Sequence, residues 1–388
     1  MNINFCPTLF LSSLVLLLSA CQDSSYSSKS PQQASTTSTV STAKSTAEKE
    51  FLVTVTRPNT TLHLIDLQTN EVIRQCDLPA GPGPGTLVIS PDSSTVYVLT
   101  DHFSDVYGVN IDNCEVVFST QQSTGNIRVK SIASIAISPD GKEIYTHQNR
   151  VKLMNDHYEL LPPQIAAFNT ADGLNVKASR TYDAPRQIAT MDTLESGELV
   201  MGGQDIFLMD MHSGKYDMIL PSLNDKQPGY SGKDVLTVWQ MGKINNEFYR
   251  MYSRAKYNGE DGDLANAEYI WGHEIVDLKT GKASAKDFGP IETVLFTSTR
   301  RPGQLNRVYG TLNDLKEYDS NTQKLIRSVD LPYTYYCINF SHDGSKIYLS
   351  GALADVAVYD ADTLENIATI PLTGDGAMST SIVFKRQG

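Results

Sequence analysis

One phrase is written three times in this chain of 388 residues. It reads VISPDSSTVY from Val88, AISPDGKEIY from Ala136 and NFSHDGSKIY from Asn339. In each copy, alternating apolar runs flank a turn in which Pro suits the first central position and Gly accepts a positive φ. A chain that repeats a hairpin in this way is built from repeated small sheets.

A second motif consists of an apolar residue, then Asp or Asn, then a short polar turn. Its polar residue lies at Asp66, Asn110, Asn169, Asp210, Asp277, Asp319 and Asp360, at spacings of 44, 59, 41, 67, 42 and 41 residues. Each repeat therefore holds four strands, named a to d, with the SPDG phrase between a and b and the Asp/Asn turn between c and d. This pattern predicts an all-β fold, a seven-bladed β-propeller with four antiparallel strands per blade.

The two ends of the repeated region complete each other. FLVTVTR, from Phe51, is predicted to be a strand b with no strand a before it. SIVFKR, from Ser381 to Arg386, is predicted to be a strand a with no strand b after it. The last blade should therefore take strands b, c and d from the N-terminal side and strand a from the C-terminus, which closes the ring and removes free sheet edges.

The two longest repeats carry their extra residues between strands b and c. The insertions are QNRVKLMNDHYELLPP (148–163) and a segment that includes YNGEDGDLANAEY (257–269). In a meander the b–c and d–a connections share one face, so both insertions are expected beside the loop LPAGPGPGT (78–86). Elaborated loops on a rigid scaffold are where binding residues concentrate; the alternative is that these loops merely vary in length.

Polar and aromatic residues are expected to gather on the same face. The candidates for lining a substrate or partner site are Asp101, His102, Asn155, Asp156, His157, Tyr158, Tyr335 and Tyr336. Aromatic side chains anchor protein interfaces, which favours a binding rim. The alternative is that such rings, including Trp239 and Trp271, pack between blades.

Three segments are predicted: a signal peptide (1–20), a flexible tether (21–49) and the propeller (50–388). The apolar run in the first segment ends in Leu18-Ser19-Ala20-Cys21, which resembles the lipobox of bacterial lipoproteins, with Cys21 as the lipid anchor. An ordinary signal peptide is the alternative. Half of residues 22–49 are Ser or Thr, a composition that cannot bury enough apolar surface to fold.

The predicted location is the periplasm of a Gram-negative bacterium, with a lipid anchor. Gln22 follows the anchor cysteine, and by resemblance to lipoprotein sorting this favours the outer membrane over the inner membrane. The net charge of −12 argues against a nucleic-acid partner, because an acidic surface repels phosphate backbones.

Signatures of a cofactor or of catalysis are missing from the sequence. It contains no CxxCH for c-type haem, no CxxC or HExxH metal spacing, and no GxSxG or Gly-rich phosphate loop. We therefore expect no metal site in this chain.

Two cysteines raise the question of a disulfide, which an exported chain permits. Cys76 lies late in a predicted strand d, and Cys114 begins strand d of the next blade. The offset is about four residues, or ~13 Å of strand rise. A Cys76–Cys114 disulfide would need unusual stagger, and both the bridged and the reduced states remain open.

Several phrases resemble the beta subunit of quinohemoprotein amine dehydrogenase: LVTVTRPN, CDLP, GPGT, ISPDGKE, NDHY, GYSGKDVL, VDLKTGK and TYYC. The resemblance runs from about Phe51 to the C-terminus. VDLKTGK and ISPDGKE are common in propellers, whereas NDHY within a b–c insertion and TYYC at the head of a strand a are far more specific.

The resemblance implies a periplasmic heterotrimer that oxidises primary amines to aldehydes. A dihaem cytochrome c alpha subunit would carry haem c, and a small gamma subunit would carry cysteine tryptophylquinone. This chain would then hold no cofactor and no catalytic residue. The alternative is a non-catalytic, lipid-anchored propeller that binds a ligand or protein at the cell envelope. A third reading, a stand-alone hydrolase or lactonase, is disfavoured by the lack of a metal-ligand cluster in the sequence.

Overall fold

The computed structural model describes residues 48–235 and 243–387. The predicted signal peptide, Cys21, Gln22, most of the tether and Trp239 lie outside these ranges. Within them the chain is almost entirely β-structure, and the two helices are short 3₁₀ turns, η1 (Thr170–Asp172) and η2 (Leu264–Asn266). No helix in this part of the chain is long and apolar enough to cross a membrane.

The strands are numbered in chain order. The first strands are β1 (Glu48–Arg57), β2 (Thr61–Asp66), β3 (Glu71–Asp77), β4 (Leu87–Ile89), β5 (Thr95–Thr100), β6 (Asp105–Asn110) and β7 (Val116–Gln121). They are followed by β8 (Ile127–Lys130), β9 (Ile135–Ile137), β10 (Glu143–Leu153), β11 (Tyr158–Leu160), β12 (Gln164–Asn169) and β13 (Arg180–Asp183). Next come β14 (Thr190–Thr193), β15 (Leu199–Gly202), β16 (Ile206–Met209), β17 (Tyr216–Leu220), β18 (Asp234–Val235), β19 (Glu247–Lys256), β20 (Glu268–Asp277) and β21 (Ala283–Pro290). The last are β22 (Thr297–Arg301), β23 (Gln304–Thr311), β24 (Asp314–Asp319), β25 (Lys324–Asp330), β26 (Cys337–Phe340), β27 (Lys346–Ser350), β28 (Asp355–Asp360), β29 (Asn366–Pro371) and β30 (Asp375–Gln387).

These strands form the predicted seven-bladed β-propeller, in which every blade has four antiparallel strands. Blade 1 is β4–β7, and blade 2 is β9, β10, β12 and β13. Blades 3 to 6 are β14–β17, β18–β21, β22–β25 and β26–β29. Blade 7 is β30, β1, β2 and β3, in that order from strand a to strand d.

The ring closes as predicted, because β30 supplies strand a of blade 7 and β1 supplies strand b. Phe51 pairs with Phe384, and Val53 pairs with Ile382. The pairing begins two residues before the predicted domain start, since Glu48 already lies opposite Gln387.

The apolar core lies between neighbouring blades. One buried cluster, for example, joins Val53 and Leu62 of blade 7 to Leu87 and Val98 of blade 1. Burying a Val or Leu side chain is worth roughly 1.5–3 kcal/mol. Each sheet therefore depends on its neighbour for most of its stabilisation.

Six of the seven Asp/Asn positions are the last residue of strand c, and the seventh, Asp210, directly follows β16. The carboxylate of Asp360 shows the reason: its Oδ1 accepts hydrogen bonds from the backbone N–H groups of Asp362 (2.9 Å) and Thr363 (2.8 Å). This is the Asx turn that makes Asp and Asn frequent at such positions. The SPDG phrases form the a–b turns, in which Ser138 Oγ donates to Asp140 Oδ1 at 2.7 Å and Gly141 has a φ of 71°.

The disc has two different faces. We call the face formed by the b–c and d–a connections the loop face; its long segments are residues 78–86, 101–104, 122–134, 154–163, 221–233, 257–267, 291–296 and 331–336. We call the opposite face, formed by the short a–b and c–d turns, the turn face. Both insertions lie on the loop face, since one joins β10 to β12 and the other joins β19 to β20.

A disulfide joins Cys76 of β3 to Cys114 and so links blade 7 to blade 1. The stagger expected from the sequence is not needed. Cys114 precedes β7 in the turn, with a left-handed φ of 62°, and this brings the two Cα atoms to within 5.2 Å.

Replacing both cysteines by serine (Cys76→Ser, Cys114→Ser) should lower the free energy of unfolding by about 3–4 kcal/mol. The crosslink spans a sequence separation of 38 residues, and its loss frees a loop of that size in the unfolded chain. The midpoint of thermal unfolding should fall on the order of 5–10 °C. Wild-type protein treated with reductant should unfold at the same temperature as the double variant; an unchanged midpoint in both would contradict the prediction.

Candidate functional site

The first insertion is a hairpin that stands out from blade 2. Strand β10 continues past its blade partner β12 and pairs with β11 on one edge and with β8 on the other. The backbone N–H of Met154 donates to the carbonyl of His157 at 3.0 Å, which closes the tip around Asn155 and Asp156. The result is a small three-stranded sheet on the loop face.

Four of the predicted site residues lie together at or beside this tip, and all four are exposed: Asn155, Asp156, His157 and Tyr158. The imidazole Nδ1 of His157 lies 2.7 Å from Asp156 Oδ1. Tyr158 is 72% exposed, and Leu160 on the same edge strand is 69% exposed. This tip therefore presents apolar surface without a covering partner within the described part of the chain.

The second insertion, residues 257–267, lies on the same face above blade 4. It is ordered by local hydrogen bonds: Asp263 Oδ1 accepts from the backbone N–H of Ala265 at 3.2 Å, and Asp261 Oδ1 accepts from that of Gly229 at 3.2 Å. Leu264 and Tyr269 are exposed beside these carboxylates.

Exposed apolar side chains concentrate on the loop face. Eight large apolar residues in its connections are exposed: Ile132, Met154, Tyr158, Leu160, Leu223, Leu264, Val294 and Leu353. Among the described turns of the opposite face, Leu174 alone is exposed in this way. Exposed apolar surface that is gathered on one side of a molecule marks an interaction site.

Charge is also divided across the loop face. The small sheet around β10 carries four cations, Arg128, Lys130, Arg150 and Lys152, and one carboxylate, Glu159, which lies 3.6 Å from Lys152 Nζ. The second insertion and the start of β20 carry four carboxylates, Glu260, Asp261, Asp263 and Glu268. A partner with the opposite charge distribution would be steered into one orientation.

Asp101 and His102 lie in the b–c loop of blade 1, which has an unusual backbone. Asp101, His102 and Phe103 have consecutive positive φ angles of 52°, 55° and 69°. Such conformations are costly for residues other than glycine and persist only where the surroundings impose them.

The neighbouring d–a loop supplies those surroundings. Each glycine of GPGPG lies against one of these side chains, and an added Cβ would overlap it: Gly81 against Asp101, Gly83 against His102, Gly85 against Phe103. Lys130 Nζ donates to the carbonyl of His102 at 2.6 Å and holds the loop from the other side.

Asp105, which is not among the residues predicted from the sequence, forms a carboxyl pair with Asp101. Asp105 begins β6 and is 9% exposed. Burial and then the Asp101 carboxyl, which also shares a hydrogen bond with it, raise the pKa of Asp105 to about 6. Two carboxyl groups this close favour a bound cation or a shared proton near neutral pH.

The sequence indicates a role for Asp105 by its position in the repeat. Aspartate also stands at or just before the head of strand c at Asp205, Asp314 and Asp355. The carboxylate of Asp205 shows its role in the fold, because its Oδ1 accepts from the backbone N–H of Ser222 at 2.7 Å in the following d–a loop. Asp105 accepts similarly from the backbone N–H of Gln122.

The two predicted tyrosines at the head of β26 have different positions. Tyr335 is 1% exposed and packs inside the core of blades 5 and 6, and its ring is 5.1 Å from that of Tyr333. It therefore does not line the surface. Tyr336 is half-buried, and its ring lies edge-on to Phe296 at 4.7 Å, at the heads of neighbouring inner strands.

The tryptophan within the described ranges also packs between strands. Trp271 in β20 is buried and belongs to the core cluster shared by blades 4 and 5. No group of three or more His, Cys, Asp or Glu side chains within residues 48–235 and 243–387 is arranged to hold a metal ion.

The sequence matches no protein-family model and no curated protein. Among solved structures, apo AztD from Citrobacter koseri has a TM-score of 0.50 at 11% identity, covering 87% of this chain and 99% of that chain. Hydrazine synthase from Kuenenia stuttgartiensis has a TM-score of 0.50 at 13% identity, covering 81% and 90%. Dihydro-heme d1 dehydrogenase NirN in complex with DHE has a TM-score of 0.46 at 15% identity, covering 86% and 74%. At these identities the likeness shows the fold alone.

The Asp105→Asn variant should change how stability depends on pH. The pKa of Asp105 in the folded chain, about 6, is above its ordinary value, so its contribution is fully present at low pH and is lost as the pH rises through 6. The variant has no carboxyl group to ionise at this position. As the pH rises from 4 to 7.5, its free energy of unfolding should therefore increase relative to that of wild type, on the order of 2 kcal/mol. Urea unfolding across this range measures the difference. Asp156→Asn, at an exposed carboxylate, is the control; parallel curves for Asp105→Asn and wild type would contradict the prediction.

Proposed function

We propose that this chain is the non-redox propeller subunit of a periplasmic quinohemoprotein amine dehydrogenase. Its loop face would seat the small subunit that bears cysteine tryptophylquinone. The observation that carries the proposal is the division of the disc into a polar turn face and a loop face with eight exposed apolar side chains. Such a surface is typical of one that another polypeptide covers.

The phrases of the family resemblance support this assignment by where they lie. NDHY forms the tip and outer strand of the blade 2 hairpin, and GPGT belongs to the glycine loop under Asp101. TYYC ends a d–a connection at the channel side of blade 6. The general propeller phrases ISPDGKE and VDLKTGK are on the turn face. The specific phrases therefore coincide with the face that we expect to be covered.

The proposal divides the chemistry between the subunits. The quinone would take the electrons of the amine, and haem in the dihaem cytochrome c subunit would pass them on. Residues of this chain would bind and orient the amine. A primary amine is a cation at neutral pH, so the Asp101–Asp105 carboxyl pair is suited to attract it to the loop face. Tyr336, half-buried near the channel, is suited to contact its apolar part.

We propose a periplasmic location with a lipid anchor at Cys21. The disulfide between Cys76 and Cys114 supports an oxidising compartment outside the cytoplasm. The lipobox-like run before Cys21 supports the anchor, and Gln22 favours the outer membrane.

Replacing two exposed apolar side chains of the hairpin by aspartate (Tyr158→Asp, Leu160→Asp) should prevent assembly. The change places two charges in a surface that the partner must desolvate, so affinity should fall at least tenfold. The chain is co-expressed with its neighbouring genes, among which the proposal expects one for a dihaem cytochrome and one for the small quinone-bearing subunit. Affinity purification, haem staining, quinone staining and amine-dependent dye reduction are then measured.

Ile326→Asp with Ile367→Asp is the control, because both isoleucines are also exposed apolar residues (47% and 49%) but lie on outer strands d. The control should recover both partners and full amine oxidation. Recovery of both partners with the hairpin variant would overturn the docking surface. Recovery from wild type of a partner with neither haem nor quinone would instead favour the non-catalytic envelope propeller.

Cys21→Ser should abolish lipid attachment and leave the protein in the soluble periplasmic fraction. Wild type grown with an alkyne-tagged fatty acid should acquire the label and sediment with outer-membrane vesicles. The measurement is in-gel fluorescence after coupling of the tag. Absence of label on wild type would argue for an ordinary signal peptide, and label on the Cys21→Ser variant would show that lipid is attached at another residue.

A further inference from the structure

A cavity of about 220 Å³ lies between blade 1 and blade 2, at the base of the small sheet. Its walls come from the end of β7, from β8 and β10, and from residues 176–178. It is smaller than the usual pocket for a drug-sized ligand. A molecule of a few heavy atoms matches this volume.

The lining has one charge sign and one apolar wall. The two ionisable groups that line it are both cations, Arg150 and Lys177, and no carboxylate does. The apolar wall consists of Ile127, Val129, Phe168 and Val176. The chain as a whole has a net charge of −12. A cavity that is lined by cations and by no carboxylate differs from this average, and its charge favours an anionic ligand.

Three glutamine side chains orient Arg150. Its Nη1 donates to Gln164 Oε1 at 2.6 Å, and Gln164 Nε2 donates to Gln148 Oε1 at 2.7 Å. Gln148 Nε2 donates in turn to Gln122 Oε1 at 2.9 Å.

Gln122 is the last side chain in this series of hydrogen bonds. Its Oε1 also accepts from Ser131 and Thr146, and its Nε2 donates to the carbonyl of Ser104 at 3.0 Å. Each amide is therefore held in one orientation, and the guanidinium group is held with them.

The guanidinium of Arg150 lines the cavity, and no carboxylate lines it with Arg150. Nη1 donates to the neutral amide of Gln164, which does not compensate the positive charge. Nε is buried by the protein itself and has no hydrogen-bond partner among the residues that the structure describes, so a ligand in the cavity would meet the outer part of the guanidinium group. A guanidinium group forms strong, charge-assisted hydrogen bonds with a carboxylate.

We propose that this cavity binds a small monocarboxylate with a short apolar chain. The carboxylate would pair with the guanidinium group of Arg150, and the chain would pack against Val129, Phe168 and Val176. The inference depends on blades 1 and 2 alone. It holds whether or not the loop face seats a quinone subunit.

Calorimetric titration of the full chain tests the proposal with two probes of nearly equal shape, butyrate and neutral butyramide. Butyrate should bind one site saturably, with a dissociation constant of about 0.05–2 mM for a ligand of six heavy atoms. Butyramide should bind at least tenfold more weakly. Arg150→Gln should lower the affinity for butyrate at least tenfold. Arg150→Lys should lower it by an intermediate amount, because lysine keeps the charge but lacks the planar guanidinium group.

Arg128→Gln is the matched control. Arg128 lies on β8 of the same small sheet and alternates with the lining residues Ile127 and Val129, so it points away from the cavity. Its variant loses the same charge and should bind butyrate as wild type does. No saturable binding, equal binding of butyramide, or unchanged binding by Arg150→Gln would each overturn the proposal. The comparison of the two probes on wild type decides the matter even if the Arg150 variants fold poorly.

Discussion

The pairing of β1 with β30 is the contact on which the ring depends. It joins residues more than 300 positions apart along the chain, from Glu48 opposite Gln387 to Thr54 opposite Ser381. Ordering so long a loop costs entropy, although the cost grows only slowly with length. Burial of Phe51, Leu52 and Val53 against the neighbouring sheets offsets it. Without this pairing, blade 7 would lack its inner strand and two sheet edges would be open.

A closed ring explains why the two faces can differ so much. The turn face is held by local Asx hydrogen bonds, such as those of Asp360, and needs only short polar segments. The loop face is free to carry long connections because the sheets below do not depend on them. The hairpin around Asp156, the glycine loop around Gly83 and the acidic insertion around Asp261 are all built there. Exposed apolar surface follows the same division.

The architecture could be predicted from the sequence because each blade repeats its own local chemistry. Asp at the c–d turn and Ser with Asp at the a–b turn form their hydrogen bonds within five residues along the chain. The arrangement of the candidate site could not be predicted in the same way. The raised pKa of Asp105 requires Asp101 in a left-handed loop, and nothing local in the sequence signals that loop.

Tyr335 was predicted to line the site, and its position differs from that prediction. Its aromatic ring satisfied the pattern expected of a rim residue, yet it packs against the core of blades 5 and 6, because residues at the head of an inner strand alternate between the channel and the neighbouring blade.

The first and last strands of the propeller put its ends side by side, since Glu48 lies opposite Gln387. A circularly permuted chain, with these ends fused and a new break made in the turn at residues 320–323, would keep every sheet. It would move the seam into blade 5 and make blade 7 continuous.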